Sequence, residues 1–374
     1  MKKMKILTLL LCASLAFAYM GCSNSSGGSD SRTSTPSGNN GNGTPGGAGG
    51  SGNNGGGITP KLPTAISAGE NGTAGTSGTY VYFGEWPKTL LEDNSIIDES
   101  VTKTVGMFTY FKGGNDWYAK IEANSYNTSD TYYKVEPIKW RVLNPAATGS
   151  ERKMLLAENI LINCAYYDFY NVNRTIGDAN VYPNNYEHSR VRAFLNGLGY
   201  QKNKASDSAE HEENNEFRGK GFLQTAFTEE ELAAIATTTV VNNVESTVPD
   251  EIDDSELNSN FNGGVNQYAS DDTTSDKIFL LSEQEVTKAD YGFAAYDANG
   301  IGNTRIRMTT AFARANGASQ NSTEGYAGYW WLRSPDYDGR ICARGVHSNG
   351  SAGGVSLVSG DYLDLGVVPA LCLN

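Results

Sequence analysis

The feature that most limits how this chain can fold is a long run of small and polar residues near its start. Residues 23–77 consist mainly of Gly, Ser, Asn and Thr, and the chain of 374 residues contains 43 Gly in all. Such a run cannot bury enough apolar surface to offset the entropy of ordering its backbone. We therefore predict a disordered linker over residues 22–77 and one folded domain over residues 78–374.

The residues before the linker indicate export. Three lysines among the first five residues precede an apolar run over residues 6–18, which is too short for a transmembrane helix. The sequence YMGC at 19–22 then places a small residue directly before Cys22, which resembles the bacterial lipoprotein signal. We expect residues 1–21 to be a signal peptide and Cys22 to be lipidated, so that the lipid anchors the chain at the cell surface, in the outer membrane. The alternative is an ordinary secretory peptide in which Cys22 is coincidental.

Charge and cysteine content narrow the choice of partners. The net charge is −13, and an acidic chain repels nucleic acid and anionic headgroups. Once Cys12 leaves with the signal and Cys22 is lipidated, three cysteines remain, which is an odd number and makes no disulfide framework. A bridge between Cys342 and Cys372 stays open. We expect a monomer that contacts the membrane only through its lipid and binds no nucleic acid.

Short β-prone runs dominate the region after the linker. Alternating or continuous apolar patterns predict strands over residues 80–87, 136–143, 154–157 and 278–282. Helices are few: Ser189 is a candidate N-cap for one that ends at Gly197, Thr228 for a second, and residues 308–315 predict a third. Glu283 and Glu285 begin a further short helix. Because no βαβ rhythm is present, the predicted class is α+β.

Catalytic and metal-binding motifs are missing from the sequence. It contains no Gly-x-Ser-x-Gly elbow and no phosphate loop, and none of its three histidines has a partner at metal-ligand spacing. We therefore expect neither an enzyme nor a cofactor nor a bound metal. A carbohydrate-active or cell-wall enzyme that uses acidic cleft residues stays as an alternative, as does a structural surface component. The tryptophans at 86, 140, 330 and 331 are interpreted as core, with stacking on sugars as the alternative.

The last residues of the chain carry the most specific compositional signal. From Ser334 to the terminus there is no Lys, Glu, Gln, Met or Trp. These are the five residues that cannot arise when Asn codons of the form A-A-pyrimidine are mutated at their two adenines. Adenine-directed mutagenesis would therefore leave this set of missing residue types. We predict a variable display segment over residues 336–365, held between fixed blocks at 329–334 and 367–373.

Five motifs together resemble one bacterial domain family. They are YFGEWP at 82–87, IKWRVL at 138–143, SRVRAFLN at 189–196, FLLSEQE at 279–285 and WWLRS at 330–334. Over about residues 79–374 the chain resembles a family of uncharacterised function with a C-type lectin-like fold, which includes the variable proteins of diversity-generating retroelements. The resemblance implies the formylglycine-generating-enzyme-like subtype, with variable residues displayed on a terminal β-ribbon and its loops. The sequence departs from the family pattern at Val368, where the closing motif usually has Arg. The paired cysteines of the oxidising enzymes and the Glu-Pro-Asn calcium motif are not recognisable.

Alternation within the terminal segment is consistent with display of one face. Ile341 and Ala343 share one side of a strand, while Arg340, Cys342 and Arg344 share the other. Tyr and Arg are favoured binding anchors, and we expect the ligand to be a protein, with a glycan as the alternative. The candidate ligand-binding residues are Asp336, Tyr337, Asp338, Arg340, Arg344, His347, Asn349, Asp361, Tyr362 and Asp364. Arg333 is either a core arginine paired with a carboxylate or a ligand contact.

Overall fold

Strands make up most of the regular structure in the computed structural model. The residues that it describes are 64–65, 80–123, 128–144, 152–169, 173–177, 179–242, 273–294, 303–336, 341–358 and 365–374. The predicted signal peptide, Cys22 and all of the predicted linker except residues 64–65 lie outside these ranges. The strands are β1 (Thr64–Ala65), β2 (Tyr80–Leu90), β3 (Ile97–Val105), β4 (Phe108–Gly113), β5 (Asp116–Ile121), β6 (Thr131–Val142), β7 (Lys153–Ala157), β8 (Asn159–Ile160), β9 (Ile162–Asn163), β10 (Arg174–Ile176), β11 (Ala179–Val181), β12 (Tyr200–Asn203), β13 (His211–Asn214), β14 (Thr238–Val241), β15 (Thr273–Asp276), β16 (Ile278–Phe279), β17 (Met308–Thr309), β18 (Gln320–Asn321), β19 (Ala327–Gly328), β20 (Trp330–Pro335), β21 (Cys342–Val346), β22 (Ala352–Leu357), β23 (Gly366–Val367) and β24 (Ala370–Leu373).

Helices are short and few among the described residues, so the class is α+β as predicted. The α-helices are α1 (Arg190–Asn196), α2 (Phe222–Ala226), α3 (Glu229–Ala234) and α4 (Ala311–Ala315). Single 3-10 turns lie at Asn94–Ile96, Glu285–Thr287, Ala289–Tyr291, Asn303–Arg305 and Ser322–Glu324. No helix in the described part of the chain is long and apolar enough to span a bilayer.

Two sheets share the end of the chain. The larger one has nine strands in the order β16–β24–β7–β6–β5–β4–β3, with β2 paired to β6 and β1 paired to β2. A second sheet has five strands in the order β22–β21–β20–β23–β9. Since β23 belongs to the second sheet and β24 to the first, the last ten residues are built into both.

Aromatic side chains fill the core between these layers. The tryptophans at 86, 140, 330 and 331 are each at most 1 % exposed, which makes them core residues as interpreted from the sequence. Each indole N–H also reaches a backbone carbonyl, so that burial leaves no indole donor unsatisfied. The acceptors are Leu161 at 3.0 Å, Phe83 at 2.7 Å, Arg305 at 3.2 Å and Cys164 at 2.9 Å, in the same order.

The predicted helix caps are confirmed. The Ser189 side chain accepts a hydrogen bond from the Arg192 amide, and α1 ends at Gly197 with a φ of 67°, the left-handed conformation that glycine adopts without steric cost. Thr228 and Glu231 form a reciprocal capping box at the start of α3. Of the two capped helices, α1 packs beside β16, and Glu231 of α3 accepts a hydrogen bond from the Gly84 amide of β2 at 3.2 Å.

Several predicted boundaries were wrong. The first strand does not end at Pro87 but runs to Leu90, and Pro87 pairs with Val135 of β6. The missing proline N–H is tolerated because no described strand pairs with the other edge of β2 at that point. Residues 308–315 are not one helix, since Met308–Thr309 is a strand and the Thr310 side chain caps α4 after it. The strand predicted over 278–282 is regular only at Ile278–Phe279.

The three cysteines in the described residues are free. Cys164 and Cys372 are buried and Cys342 is partly exposed, so the Cys342–Cys372 bridge that the sequence left open is not formed. Cys372 pairs opposite Met154 within the large sheet.

Candidate functional site

The first fixed block of the terminal segment is the centre of the second sheet. Every residue of Trp330–Pro335 is buried. The strand pairs antiparallel with β21 on one side and parallel with β23 on the other, with Trp330 opposite both Val346 and Gly366. Burial on both faces and pairing on both edges fix β20 in the core directly before residues 336–365.

The residue directly before the second fixed block is a glycine that packing requires. A side chain at Gly366 would place its Cβ 2.2 Å from Cγ2 of Ile160. The Gly366 amide donates to the Tyr329 carbonyl oxygen at 2.7 Å, and the Ala157 amide donates to the Pro369 carbonyl oxygen at 2.9 Å. Both ends of the segment are therefore anchored in the core, close to one another.

Arg333 is a core arginine paired with a carboxylate, the first of its two interpretations. Its side chain is 3 % exposed and its Nη1 lies 2.5 Å from Oε2 of Glu285. Nε and Nη1 also donate to the carbonyl oxygens of Val241 and Leu280, each at 2.8 Å. Burial acts to raise the pKa of Glu285, but the charge and hydrogen bonds of Arg333, with the Ser282 amide, outweigh it, and the pKa lies below its usual value.

Asp336 and Arg344 meet a third buried charge, Glu283. Nε of Arg344 lies 3.5 Å from Oδ1 of Asp336 and 3.7 Å from Oε2 of Glu283, and all three side chains are at most 8 % exposed. The Glu283 amide donates to the Ser334 hydroxyl at 3.0 Å. This charge cluster ties the last described residue before the gap at 337–340 to β21 and to the stretch that carries Glu285.

Among the described residues, the charge cluster contains two carboxyl groups for one guanidinium. Burial raises the pKa of Glu283 to about 7, Arg344 opposes that shift, and Asp336 adds to it. Burial also raises the pKa of the Cys342 thiol to about 11, with Asp336 contributing. Cys342 is therefore a neutral thiol near pH 7, and Glu283 titrates in the physiological range.

Arg344 was predicted to lie on an exposed face of β21, but it is buried. Ala343 is buried in the core as expected, but Arg344 on the opposite face is only 7 % exposed. The reason is that β21 lies between β20 and β22, and residues from the Glu283 stretch cover its second face. Asp336 and Arg344 are therefore buried residues that contact each other at the ends of residues 337–340.

His347 and Asn349 lie in the turn between β21 and β22. The His347 ring packs edge-on against Tyr329, with ring centres 5.1 Å apart, and burial lowers the pKa of His347, which is therefore uncharged near pH 7. Asn349 is exposed, and its side-chain oxygen accepts a hydrogen bond from the Ser351 amide at 3.0 Å. This turn presents one aromatic and one polar contact to solvent.

The described candidates do not form one cluster. Ala343 lies opposite Pro335 and Leu357 lies opposite Cys342, so Asp336, both ends of the gap at 337–340 and the start of the gap at 359–364 share one end of the sheet. The gap at 359–364 ends at the other end of the sheet, where Gly366 lies opposite Trp330. His347 directly follows β21 and is four residues beyond Ala343, so the two residues are about 13 Å apart at about 3.3 Å per residue. The remaining candidates lie outside the described residues: Tyr337, Asp338, Arg340, Asp361, Tyr362 and Asp364.

Sequence reasoning missed the ion pairs of two residues, Glu283 and Glu285, which it assigned only to a short helix. For Glu285 a signal existed, because Ser282 and Glu285 have capping-box spacing and each bonds the backbone amide of the other at 3.1 and 2.9 Å. For Glu283 no local pattern indicates its partner, 61 positions away. Within the described ranges no group of three or more His, Cys, Asp and Glu side chains could hold a metal ion.

Comparison with known families assigns the chain to one of them. Residues 150–374 match the family described as Domain of unknown function (DUF6273), and the chain belongs to that family. The match contains both fixed blocks, the display segment and the charge cluster. No curated protein and no solved structure matches the chain.

Proposed function

We propose that this family member is a lipid-anchored surface protein that binds an external protein through residues 336–365. The observation that carries the proposal is the absence of Lys, Glu, Gln, Met and Trp from Ser334 onward. The buried anchors at Trp330 and Gly366 support it, because a segment held at both ends tolerates changes between them without loss of the fold. Pre-organised ends also lower the entropy cost of binding.

For the fold we propose the C-type lectin-like architecture in its formylglycine-generating-enzyme-like form. The antiparallel ribbon of β20, β21 and β22 next to the parallel strand β23 supports this assignment. Residues 337–340 follow β20 and residues 359–364 follow β22 in the sequence, and these two stretches contain six of the ten candidate contacts.

Within this proposal the candidate residues divide into two roles. Tyr337, Arg340 and Tyr362 are the main ligand contacts, since Tyr and Arg dominate binding hot spots. Asp336 and Arg344 are positioning residues, because their burial leaves almost no surface for a ligand. His347 and Asn349 add contacts at the other end of the hairpin.

A glycan-cleaving enzyme has one observation in its favour, the raised pKa of Glu283, which is typical of a general acid. Its side chain is only 2 % exposed, however, so a glycan cannot reach it in this arrangement. We therefore rank display above catalysis.

Sibling genes from related strains test the proposal directly. We expect amino-acid differences to concentrate after Ser334, at positions where every variant can arise from an Asn codon, while residues 150–333 serve as the matched control within each gene. A near-copy of the segment in neighbouring DNA, with Asn codons at the variable positions, is expected as well. An even spread of differences along residues 150–374 would refute the proposal.

The anchor has a separate test. Cells that carry the full chain should retain it in the membrane fraction and incorporate radiolabelled palmitate, whereas Cys22→Ser should lose the label. Cys12→Ser is the matched control, since Cys12 lies within the expected signal. Labelling of the Cys22→Ser chain at the wild-type level would show that lipid is attached elsewhere.

A further inference from the structure

A cleft separate from the display segment lies beside Arg333. Its volume is about 300 Å³, at the lower end of the range for small-molecule sites. Buried Phe279 and Val240 line it together with Arg333, and Val241 and Lys288 are exposed at its rim. None of the residues that line it belongs to 336–365.

Arg333 has hydrogen-bond donors in this cleft that no described residue uses. A guanidinium has five N–H groups, one on Nε and two on each terminal nitrogen. Nε is used by the Val241 carbonyl, and Nη1 by the Leu280 carbonyl and Glu285. No residue in the described ranges accepts a hydrogen bond from Nη2, although the Arg333 side chain is 3 % exposed. Nη2 is not among the fully buried side-chain atoms that lack a partner, so it keeps some accessible surface, and its two N–H groups are available to an acceptor supplied by a ligand.

The charges around the cleft favour an anion. Arg333 and Lys288 carry two positive charges, and Glu285 carries one negative charge. Glu285 is already committed, since it accepts from Arg333 at 2.5 Å and from the Ser282 amide at 2.9 Å. The Lys288 ammonium lies 5.4 Å from the centre of the Tyr291 ring, an interaction that leaves its hydrogen-bond donors available.

We propose that this cleft binds a small organic carboxylate that carries a short apolar chain. The Nη2 donors of Arg333 and the ammonium of Lys288 supply hydrogen-bond donors and positive charge for a carboxylate. Met154, Val240 and Phe279 form the apolar wall against which the chain packs. The volume limits the ligand to a small molecule, and the site is independent of the protein ligand proposed for residues 336–365.

The probe for this proposal is 4-methylpentanoate, titrated into the full chain by isothermal calorimetry. We expect saturable binding with a dissociation constant on the order of 1 mM, as suits a ligand of about eight non-hydrogen atoms. The amine of the same carbon skeleton is the control for charge and should not bind, because it would face Arg333 and Lys288. Acetate is the control for the apolar chain and should bind at least about tenfold more weakly.

A matched pair of variants at the rim tests the location. Val241 has an exposed side chain, so Val241→Glu and Val241→Lys should both fold, which circular dichroism checks. We expect Val241→Glu to weaken 4-methylpentanoate binding by about tenfold or more and Val241→Lys to keep or strengthen it. Lys288→Gln should weaken binding about threefold. Equal binding by the two Val241 variants, or no saturable binding to the wild type, would overturn the proposal, and neither outcome bears on the display segment.

Discussion

The replacement Glu283→Gln tests the charge cluster, because it removes one of two buried carboxyl groups that share Arg344. The pKa of Glu283 is raised from 4.5 to about 7 in the folded chain. The folded state therefore holds a proton more tightly than the unfolded state, and this group's contribution to stability falls as pH rises from about 4.5 to about 7 and is constant above that. At about 1.4 kcal/mol for each pKa unit, the contribution lost is about 3 kcal/mol.

Gln resembles the protonated acid and cannot lose a proton. We therefore expect Glu283→Gln to match the wild type in free energy of unfolding near pH 4.5 and to exceed it by up to about 3 kcal/mol at pH 8. Urea unfolding of the full chain at both pH values measures this difference. Glu122→Gln, at an exposed carboxylate, is the control for loss of charge alone and should show no such dependence. A variant that is equally or less stable than the wild type at pH 8 would refute the reasoning.

Three further predictions concern the frame and its thiol. Arg333→Met should cost about 3–5 kcal/mol in urea unfolding because it leaves the largely buried Glu285 carboxylate, which is 16 % exposed, without its partner, whereas exposed Arg218→Met should change little. Gly366→Ala should destabilise by about 1–3 kcal/mol, since its Cβ would overlap Ile160, and a neutral result would show that the sheet can shift there. Cys342 has a pKa of about 11, so about 0.1 % of the thiol is thiolate at pH 8. Alkylation of Cys342 by iodoacetamide, measured by mass spectrometry, should therefore be slow, and Asp336→Asn should accelerate it.

Features set by local chemistry could be predicted from the sequence. Ser189 and Thr228 cap their helices because a hydroxyl at that position satisfies an amide within the next three residues. Trp330 and Trp331 are core residues because so large an apolar surface within a β-prone run is stable only when buried. The α+β class follows from many such short signals, none of which depends on a distant partner.

Features set by distant contacts could not be predicted. Alternation places Arg344 on the face opposite Ala343, which is correct, but it cannot show that Glu283 covers that face. The same holds for Pro87, whose place inside a strand depends on which edges of β2 are paired. At the candidate site, the sequence therefore predicted correctly that the blocks at both ends lie in the core, and it misjudged the accessibility of Arg344 and Asp336 between them.

The short stretch from Glu283 to Glu285 forms ion pairs with both strands that flank residues 337–340. Glu285 pairs with Arg333 on β20, and Glu283, two residues earlier, pairs with Arg344 on β21. The first pair is balanced, one carboxylate for one guanidinium, so its charge does not change between pH 5 and pH 8. The second pair also has Asp336 beside it, and it gains a negative charge when Glu283 loses its proton near pH 7. A change of pH in this range should thus change the charge beside Asp336 and Arg344, while the pair of Arg333 and Glu285 at the cleft keeps its charge. Binding through residues 337–340 and binding in the cleft should therefore differ in their dependence on pH, although Arg333 and Arg344 lie on neighbouring strands.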